Sequence, residues 1–284
     1  MAEPTLRELL KTTISYKDII DGRSAKANGY LLPRFNTIKA TGKPTEVYIE
    51  KELGSFASIV PENSNTPKKD NKLEKKQLTL KRFATSVEVS QQYINDSAVD
   101  YKQHLTELLT ERLVRGVELG ITLFGDPIGQ TADKMQLLSQ GGNGFKSANT
   151  FGAIEFELVQ KLSLPFFDNN KKENSFWIFN QYPQVVNKAG DDCITYDNLP
   201  PGAVGRLLGI PIYISELAET GEGKKLACVL VNPSAYTLVL GDIKIKQLEQ
   251  GSNESVRGVH VFQGEVWADG VVTNLNGRLA IEYA

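Results

Sequence analysis

The stretch of sequence that decides the fold runs from Glu46 to Phe124 and reads EVYIEKELGSFASIVPENSNTPKKDNKLEKKQLTLKRFATSVEVSQQYINDSAVDYKQHLTELLTERLVRGVELGITLF. Its first half alternates apolar and polar residues on both sides of a lysine-rich segment, which is typical of a two-stranded hairpin. Its second half changes to helical spacing with no linker in between. We therefore predict a long hairpin followed directly by one amphipathic helix. This arrangement suits a subunit that reaches across its neighbours better than it suits an enzyme.

The polar tip of the hairpin lies between Pro61 and Lys76. This segment has two prolines, almost no apolar residues, and five lysines against three acidic residues, so it predicts a solvated tip with local positive charge. Beyond the tip the alternation resumes, but it changes phase by one residue after Leu80. Such a slip is typical of a β-bulge or a strong local twist within a long hairpin.

The charged side chains of the tip are the candidate residues for contacts between subunits. They either form ion pairs with carboxylates of a neighbouring subunit or only keep a projecting loop soluble. A single surface ion pair contributes little, but a contact that symmetry repeats gains from multivalency. The candidates are Glu62, Lys68, Lys69, Lys72, Lys75 and Lys76.

The helix that follows the hairpin has the clearest pattern in the chain. Ser97, followed three residues later by Asp100, predicts a capping box at its start. A helix from Val99 to Phe124 would be about 39 Å long at about 1.5 Å per residue. Because glycine weakens a helix interior, Gly116 and Gly120 predict that another backbone packs closely against its last turns. The apolar stripe consists of Leu105, Leu108, Leu109, Leu113, Val117, Ile121 and Phe124.

Residues 1–45 predict an extended arm rather than a compact unit. A short helical pattern from Thr5 to Leu10 is followed by turn-forming pairs and triplets that contain glycine. Apolar residues such as Ile19, Leu31 and Leu32 are spaced along the arm and need a surface to lie on. Another subunit can provide that surface.

The rest of the chain predicts an α+β fold built from short elements. Thr150 is predicted to cap a second helix that carries Ile154 and Leu162. The pair Asp269-Gly270 favours a two-residue hairpin turn, and Asn276-Gly277 precedes a closing strand. The other predicted elements are buried strands at Phe176–Phe179, Ile210–Ile214 and Leu226–Val231, a helical turn at Pro183–Lys188 and a short helix from Pro233 to Leu238.

Composition excludes several classes of function. The 284 residues carry 32 Lys and Arg against 34 Asp and Glu, a net charge of −2, so the surface as a whole lacks the excess of positive charge needed to grip nucleic acid. Cys193 and Cys228 lack the spacing of a zinc site or of a disulfide framework, which predicts two free thiols in a reducing compartment. No stretch approaches the roughly 20 apolar residues that span a bilayer, so no membrane partner is expected.

Catalytic patterns are also absent from the sequence. His104 and His260 have no acidic or nucleophilic neighbour at a suitable spacing, and no hydrolase, metalloprotease or Walker motif occurs. We therefore predict no catalytic residue, metal ligand or cofactor. The glycine-rich loop Gly141–Gly144 leaves two alternatives open, because such a loop either cradles a phosphate before a helix or serves as a hinge.

Several strings, in their order along the chain, resemble the major capsid proteins of tailed bacteriophages, with the Hong Kong 97-like fold. Gly29-Tyr-Leu-Leu-Pro33 is similar to the family's N-terminal arm. Ser58-Ile-Val-Pro-Glu62 and the strand from Leu78 to Val89 are similar to its extended E-loop and the return of that loop. The region from Ser90 to Asp126 resembles the passage into the spine helix. Leu208-Gly-Ile-Pro-Ile212, the segment from Val231 to Asp242 and the hairpin at Asp269-Gly270 resemble the A-domain and the sheet that returns to the P-domain.

The resemblance implies an α+β subunit that assembles through pentamers and hexamers into an icosahedral head shell around packaged double-stranded DNA, which it contacts without sequence specificity. It also implies a scaffolding protein, a portal and possible decoration proteins as partners, with assembly in the host cytoplasm and a final place in the virion capsid. The expected divisions are an N-terminal arm (1–45), an E-loop hairpin (46–90), a P-domain with the spine helix and the glycine-rich loop (91–175), an A-domain (176–255) and C-terminal strands returning to the P-domain sheet (256–284).

Some alternatives remain open at the level of sequence. An encapsulin-type nanocompartment shares the implied fold and encloses enzyme cargo instead of DNA, and an enzyme that uses the loop Gly141–Gly144 for a phosphate ligand is a rival of a different class. Some relatives join a lysine to an asparagine of a neighbouring subunit, roles that Lys72 or its companion lysines of the tip, with Asn274 or Asn276, would fill. Many members of the family carry a long N-terminal helical scaffolding segment that a protease removes, whereas only a short helix is expected here, at Thr5–Leu10. Two alternatives follow: a separate scaffolding protein exists, or this chain is the mature form.

Overall fold

The structure is a computed structural model, and it describes residues 11–20, 31–41, 45–50, 62, 73–96, 100–125, 133–139, 145–146, 154–169, 172–217, 226–248 and 257–282. These residues form helices, strands and short 3-10 turns. The helices are α1 Tyr16–Ile20, α2 Gln91–Asp96, α3 Tyr101–Thr122 and α4 Phe156–Asn169, and the 3-10 turns are Leu32–Arg34, Lys172–Asn174, Pro233–Ala235 and Leu275–Gly277. The strands are β1 Lys11–Ile14, β2 Asn36–Lys39, β3 Thr45–Glu50, β4 Leu73–Leu78, β5 Lys81–Ser90, β6 Phe145–Lys146, β7 Ile154–Glu155, β8 Phe176–Phe179, β9 Val185–Val186, β10 Gly205–Leu207, β11 Ile210–Ile214, β12 Leu226–Val231, β13 Tyr236–Leu240, β14 Ile243–Gln247, β15 Val259–Val272 and β16 Arg278–Glu282.

A first six-stranded sheet is built around β15. Strand β5 lies along one edge of β15, while β13 and β14 follow each other along its other edge. Strand β2 pairs in parallel with β13, and β1 pairs antiparallel with β14. The N-terminal segment therefore forms the outer row of this sheet.

The apolar residues of the N-terminal segment are buried in the chain's own core. Ile19, Leu31 and Leu32 are 4%, 0% and 1% exposed and belong to the cluster that includes the buried face of α3. The expectation that another subunit covers them is wrong, because pairing of β1 and β2 with the sheet brings this segment over the core. The helix predicted at Thr5–Leu10 lies outside the described residues, and the predicted domain limits stay predictions.

Strands β3 and β4 form an antiparallel hairpin, with Thr45 opposite Leu78. The return strand predicted at Leu78–Val89 is wrong: most of β4 lies inside the segment predicted as a solvated tip, and residues 81–90 pair with β15 instead. Among the described strands they pair only with each other. Strand β4 ends at Leu78, and β5 begins at Lys81 in the first sheet, where it pairs with β15 without a register shift. The bulge or twist predicted after Leu80 is therefore wrong: the change of phase marks the point where the chain passes from the hairpin to another sheet.

The long helix α3 packs against the first sheet and starts later than predicted. Asp100 occupies its N-cap and accepts hydrogen bonds from the backbone N–H groups of Lys102 and Gln103, at 3.1 and 3.3 Å, so the cap predicted at Ser97 is wrong. The close packing predicted at Gly120 is confirmed, but the group that packs there differs from the prediction. A Cβ atom there would lie 3.0 Å from the ring of Phe83, so an aromatic side chain packs against the helix instead of a backbone.

A second six-stranded sheet has the order β10-β11-β8-β12-β16-β6 and confirms the strands predicted at Phe176–Phe179, Ile210–Ile214 and Leu226–Val231. All four residues of β8 and all six of β12 are buried, because both faces of this sheet are covered. The side chains on one face of the sheet belong to the main core, which also contains the buried residues of α3. The side chains on the other face belong to a second cluster, together with residues of α4. The closing strand predicted after Asn276-Gly277 is β16.

The pair Asp269-Gly270 does not form a turn. Strand β15 runs through both residues, and Leu238 lies opposite Gly270 in the neighbouring strand. A Cβ atom at Gly270 would lie 2.4 Å from the ring of Tyr236, which explains why glycine stands here without a turn. The hairpin predicted at this position is wrong, because close packing of an aromatic ring selects the same residue type as a tight turn.

Three further local predictions need correction. The helical turn at Pro183–Lys188 is wrong, since Val185 and Val186 form β9 and pair with β7. The helix predicted from Pro233 to Leu238 is only the 3-10 turn Pro233–Ala235, and the buried strand β13 begins at the next residue. The second helix is present as α4 but begins at Phe156. Ile154 precedes it in β7, and Thr150 lies outside the described residues.

Candidate assembly site

The hairpin is fixed to the first sheet by a group of residues that we call the hairpin root: Thr79, Lys81, Gln136, Tyr236 and Asp269. The Asp269 carboxylate, 2% exposed, pairs with the Lys81 ammonium at 2.6 Å and accepts a hydrogen bond from the Thr79 N–H at 3.0 Å. Burial raises the pKa of Asp269, and the hydrogen bond and charge of Lys81 oppose this rise. The carboxylate thus holds both residues that flank the passage from β4 to β5.

Gln136 supplies the second anchor of the hairpin root. Its Oε1 atom accepts hydrogen bonds from the Lys76 ammonium at 3.3 Å and from the Val272 N–H at 3.1 Å. Its backbone carbonyl accepts a hydrogen bond from the Tyr236 hydroxyl at 2.7 Å. The segment 133–139 therefore links the strand β4 of the hairpin to the end of β15.

An apolar contact completes the attachment of the hairpin. Val47 and Leu78 are 7% and 3% exposed and form a small separate core with Val239 and Val271. The valines belong to β13 and β15, on the face of the first sheet opposite α3, since their neighbours Leu238 and Val272 lie in the main core. The hairpin is thus anchored at its base by both apolar packing and charge.

The helix α3 holds the N-terminal segment through a buried carboxylate. Glu118 is 9% exposed, and its Oε1 accepts hydrogen bonds from the backbone N–H groups of Leu31 and of Leu32, the latter at 3.1 Å. Burial raises the pKa of Glu118 to about 7, although these N–H groups and the charge of Arg115 favour the ionised form. Glu118 is therefore the polar link between α3 and the segment that leads into β2.

Arg34 continues this link to the second sheet. Its guanidinium lies 3.9 Å from the centroid of the Tyr213 ring in β11 and donates a hydrogen bond to the Pro201 carbonyl at 3.3 Å. Burial raises the pKa of Tyr213, against the opposing charges of Arg34 and Arg206. One short N-terminal segment thus contacts α3, the first sheet and the second sheet.

A comparison of the sequence with protein families decides what kind of subunit this is. The model of the Phage capsid family matches residues 22–277, which include the hairpin, α3 and five of the six strands of each large sheet. The chain belongs to the phage capsid family. No curated protein sequence matches this capsid protein.

Solved structures confirm the fold of the capsid protein. The capsid of a native GTA particle is 15% identical and superposes with a TM-score of 0.64, covering 100% of this chain and 96% of that chain. A structure from Mycobacterium phage Cain is 13% identical with a TM-score of 0.63, covering 92% of each chain. The predicted α+β, Hong Kong 97-like fold is therefore confirmed, and the family is one of structural proteins of the phage head shell, located in the virion capsid, not of enzymes.

The predicted contact residues of the tip divide into three groups. Lys75 pairs with Glu46 of its own hairpin at 2.5 Å, and Lys76 reaches Gln136, so these two lysines have partners within the subunit. Glu62 is exposed in a turn. Lys68, Lys69 and Lys72 lie outside the described residues. Their role in contacts between subunits stays a prediction.

The other groups singled out by sequence have no shared site in the described part of the chain. His260 bonds through its ring nitrogens to Gln247 and Gln91, His104 is exposed on α3, and Cys193 and Cys228 are free thiols. No cluster able to hold a metal, and no helix able to span a membrane, occurs among the described residues. The loop Gly141–Gly144 lies outside them, and the strand β6, not a helix, follows it directly.

Sequence reasoning missed the residues that fix the hairpin and the arm. Asp269 was assigned to a turn, although an acidic residue within a run of apolar strand residues is itself a signal of a buried contact. Glu118 gave a similar signal, because it lies three residues before Ile121 of the apolar stripe and therefore on the same side of the helix. Gln136 gave none, since its role depends on three partners that are distant in sequence.

Proposed function

We propose that this capsid protein is the major subunit of a tailed-phage head, assembling through pentamers and hexamers into an icosahedral shell that encloses double-stranded DNA. The observation that carries the proposal is the hairpin β3–β4. It is firmly held at its root, and its two strands pair only with each other among the described strands. Two paired strands gain little stability alone, so a hairpin of this kind is best explained by contacts with neighbouring subunits.

The charge of the chain supports a container that holds DNA without gripping it. A net charge of −2 supplies no excess of cations to bind phosphates, which favours both entry and release of a packaged genome. We infer partners of the kinds that accompany such shells, namely a scaffolding protein, a portal and decoration proteins, with assembly in the host cytoplasm. The tip residues Lys68, Lys69 and Lys72 are proposed to meet carboxylates of a neighbouring copy.

Electron microscopy of the purified chain tests the proposal. We expect closed shells of uniform diameter, with light scattering that shows particles far larger than a 31.4 kDa subunit. A monodisperse monomer or dimer under all assembly conditions would contradict the shell function. Shells from the native source that contain a packed enzyme instead of DNA would point to a nanocompartment. Nucleotide binding by a monomer or dimer of this chain would support the alternative of an enzyme that uses the loop Gly141–Gly144.

A further inference from the structure

Strand β5 has one long edge that no described strand covers. It pairs with β15 over ten residues, from Lys81 opposite Ala268 to Ser90 opposite Val259, and it has no second partner in the described part of the chain. The other strands at the margins of the two large sheets have two to four residues: β1, β2, β6 and β10. A short edge strand is a common protection against unwanted pairing with another chain. Strand β5, with ten residues, lacks this protection.

The charges that normally protect an edge are neutralised in β5. Its three charged residues all have partners on the same subunit: Lys81 pairs with Asp269 at 2.6 Å, Arg82 with Glu265 at 2.8 Å and Glu88 with Arg257 at 2.8 Å. The strand contains no proline or glycine that would block a further strand. The edge is therefore long, regular and without unpaired charge.

The core is also incompletely covered along this edge. Phe83 and Val87 point towards α3 and pack against the main core, yet both remain partly exposed, whereas Phe262 and Val266 opposite them in β15 are each 1% exposed. The difference arises because β15 has neighbours on both sides, whereas β5 has one among the strands that the structure describes. An added strand would cover these two side chains and pair the free backbone groups at the same time.

We propose that the free edge of β5 pairs with an extended strand of a second copy of this chain in the assembled shell. This proposal rests on the proposed function, because a shell places many identical copies side by side. Ten residues at about 3.3 Å each give a contact line of about 33 Å. The contact is small for a dimer, and the repetition of contacts around a closed shell makes a contact of this size sufficient. The hairpin leaves the sheet next to Lys81, so both contacts extend from one margin of the subunit.

Hydrogen exchange measured by mass spectrometry tests the pairing directly. In unassembled subunits we expect about half of the amides of 81–90 to exchange rapidly, since alternate groups face away from β15. In shells made from the purified chain alone, these amides should become protected. The central strand β12 is the internal control and should be protected in both states. Equal exchange of 81–90 in subunits and shells would overturn the proposal while leaving the shell function intact.

A substitution provides the second test. Ser86 is exposed on β5, and Ser86→Lys restores an unpaired charge of the kind that protects edges. We expect this variant to keep the melting temperature of the unmodified subunit and to lose at least tenfold in shell yield. His104→Lys, at an exposed position of α3, is the matched control and should assemble normally. Shells from Ser86→Lys in normal yield contradict edge pairing, and an absence of shells from the unmodified chain contradicts the proposed function itself.

Discussion

The Asp269 carboxylate lies 2.6 Å from the Lys81 ammonium, with side chains that are 3% and 17% exposed. This ion pair joins β15 to the first residue of β5, where the chain passes from the hairpin strand β4 into the first sheet. Breaking a buried pair from one side leaves a charge without a partner, which is far more costly than losing a surface pair.

Replacing Lys81 by methionine should therefore destabilise the subunit strongly. We expect a loss of about 3 to 5 kcal/mol in the free energy of unfolding, because Asp269 remains buried without its cation. Lys75→Met is the matched control, since Lys75 pairs with Glu46 on the exposed surface of the same hairpin, and it should have little effect. Urea titration followed by circular dichroism measures both. Equal losses in the two variants would show that burial of Asp269 does not matter.

Glu118 predicts a pH dependence of stability. Its pKa is raised to about 7, above the ordinary value of 4.5, so the folded subunit binds this proton more tightly than the unfolded chain. The stabilisation is complete below about pH 4.5 and is lost as the pH rises through about 7. Glu118→Gln removes this contribution, on the order of 3 kcal/mol by linkage, and should flatten the stability curve between pH 5 and 8.

The control for this curve is Glu111→Gln, at an exposed position of the same helix. This variant should keep the pH dependence of the unmodified subunit. Urea midpoints at half-unit intervals of pH distinguish the two variants. A Glu118→Gln curve that runs parallel to that of the unmodified subunit would assign the titration to another group.

Two glycines predict effects of opposite sign. Gly270→Ala places a Cβ atom 2.4 Å from the Tyr236 ring and should destabilise the subunit by about 1 to 3 kcal/mol through overpacking. Gly116→Ala meets its nearest neighbour, a ring carbon of Phe83, at 3.8 Å and should stabilise α3 by up to about 1 kcal/mol. Thermal unfolding of both variants measures the difference, and a stabilised Gly270→Ala would refute the packing account of this position.

Shortening the hairpin separates folding from assembly. Replacing residues 51–72 by an Asn-Gly turn joins Glu50 to Leu73, which lie opposite each other in the hairpin, and keeps β4 and all contacts of the hairpin root. The melting temperature should therefore stay within a few degrees of its original value, whereas shell yield falls sharply. Electron microscopy and size-exclusion chromatography provide the two readouts. Normal shells from this variant would show that the tip is only a solvated turn.

Local pattern was sufficient wherever one short segment determines its own structure. Strand β3, most of α3, and the buried strands β8, β11 and β12 follow from residue spacing and apolar runs, because the positions of apolar side chains reflect the faces that each segment buries. The polar strand β4 does not follow from them, since most of it lies in the segment predicted as a solvated tip. The order of short strings along the chain also pointed to the capsid family, which the family match confirms.

Local pattern failed where one residue type serves two purposes. Glycine in Asp269-Gly270 predicts a turn, but here it makes room for Tyr236, a residue of another strand. The change of phase after Leu80 similarly has two readings, a bulge within one sheet or a passage between two. Only the partners of β4 and β5 decide between them.

The sequence by itself determined the first strand of the hairpin, the long helix and the absence of recognised catalytic motifs, since these depend on residue spacing and residue type. Only the tertiary structure decided what anchors the hairpin, what covers the N-terminal segment and which edge is left open. Asp269, Gln136 and Glu118 meet partners far away in sequence, and such contacts exist only after the chain has folded. The contacts of each side chain, not its chemical type alone, therefore set its role in this capsid protein.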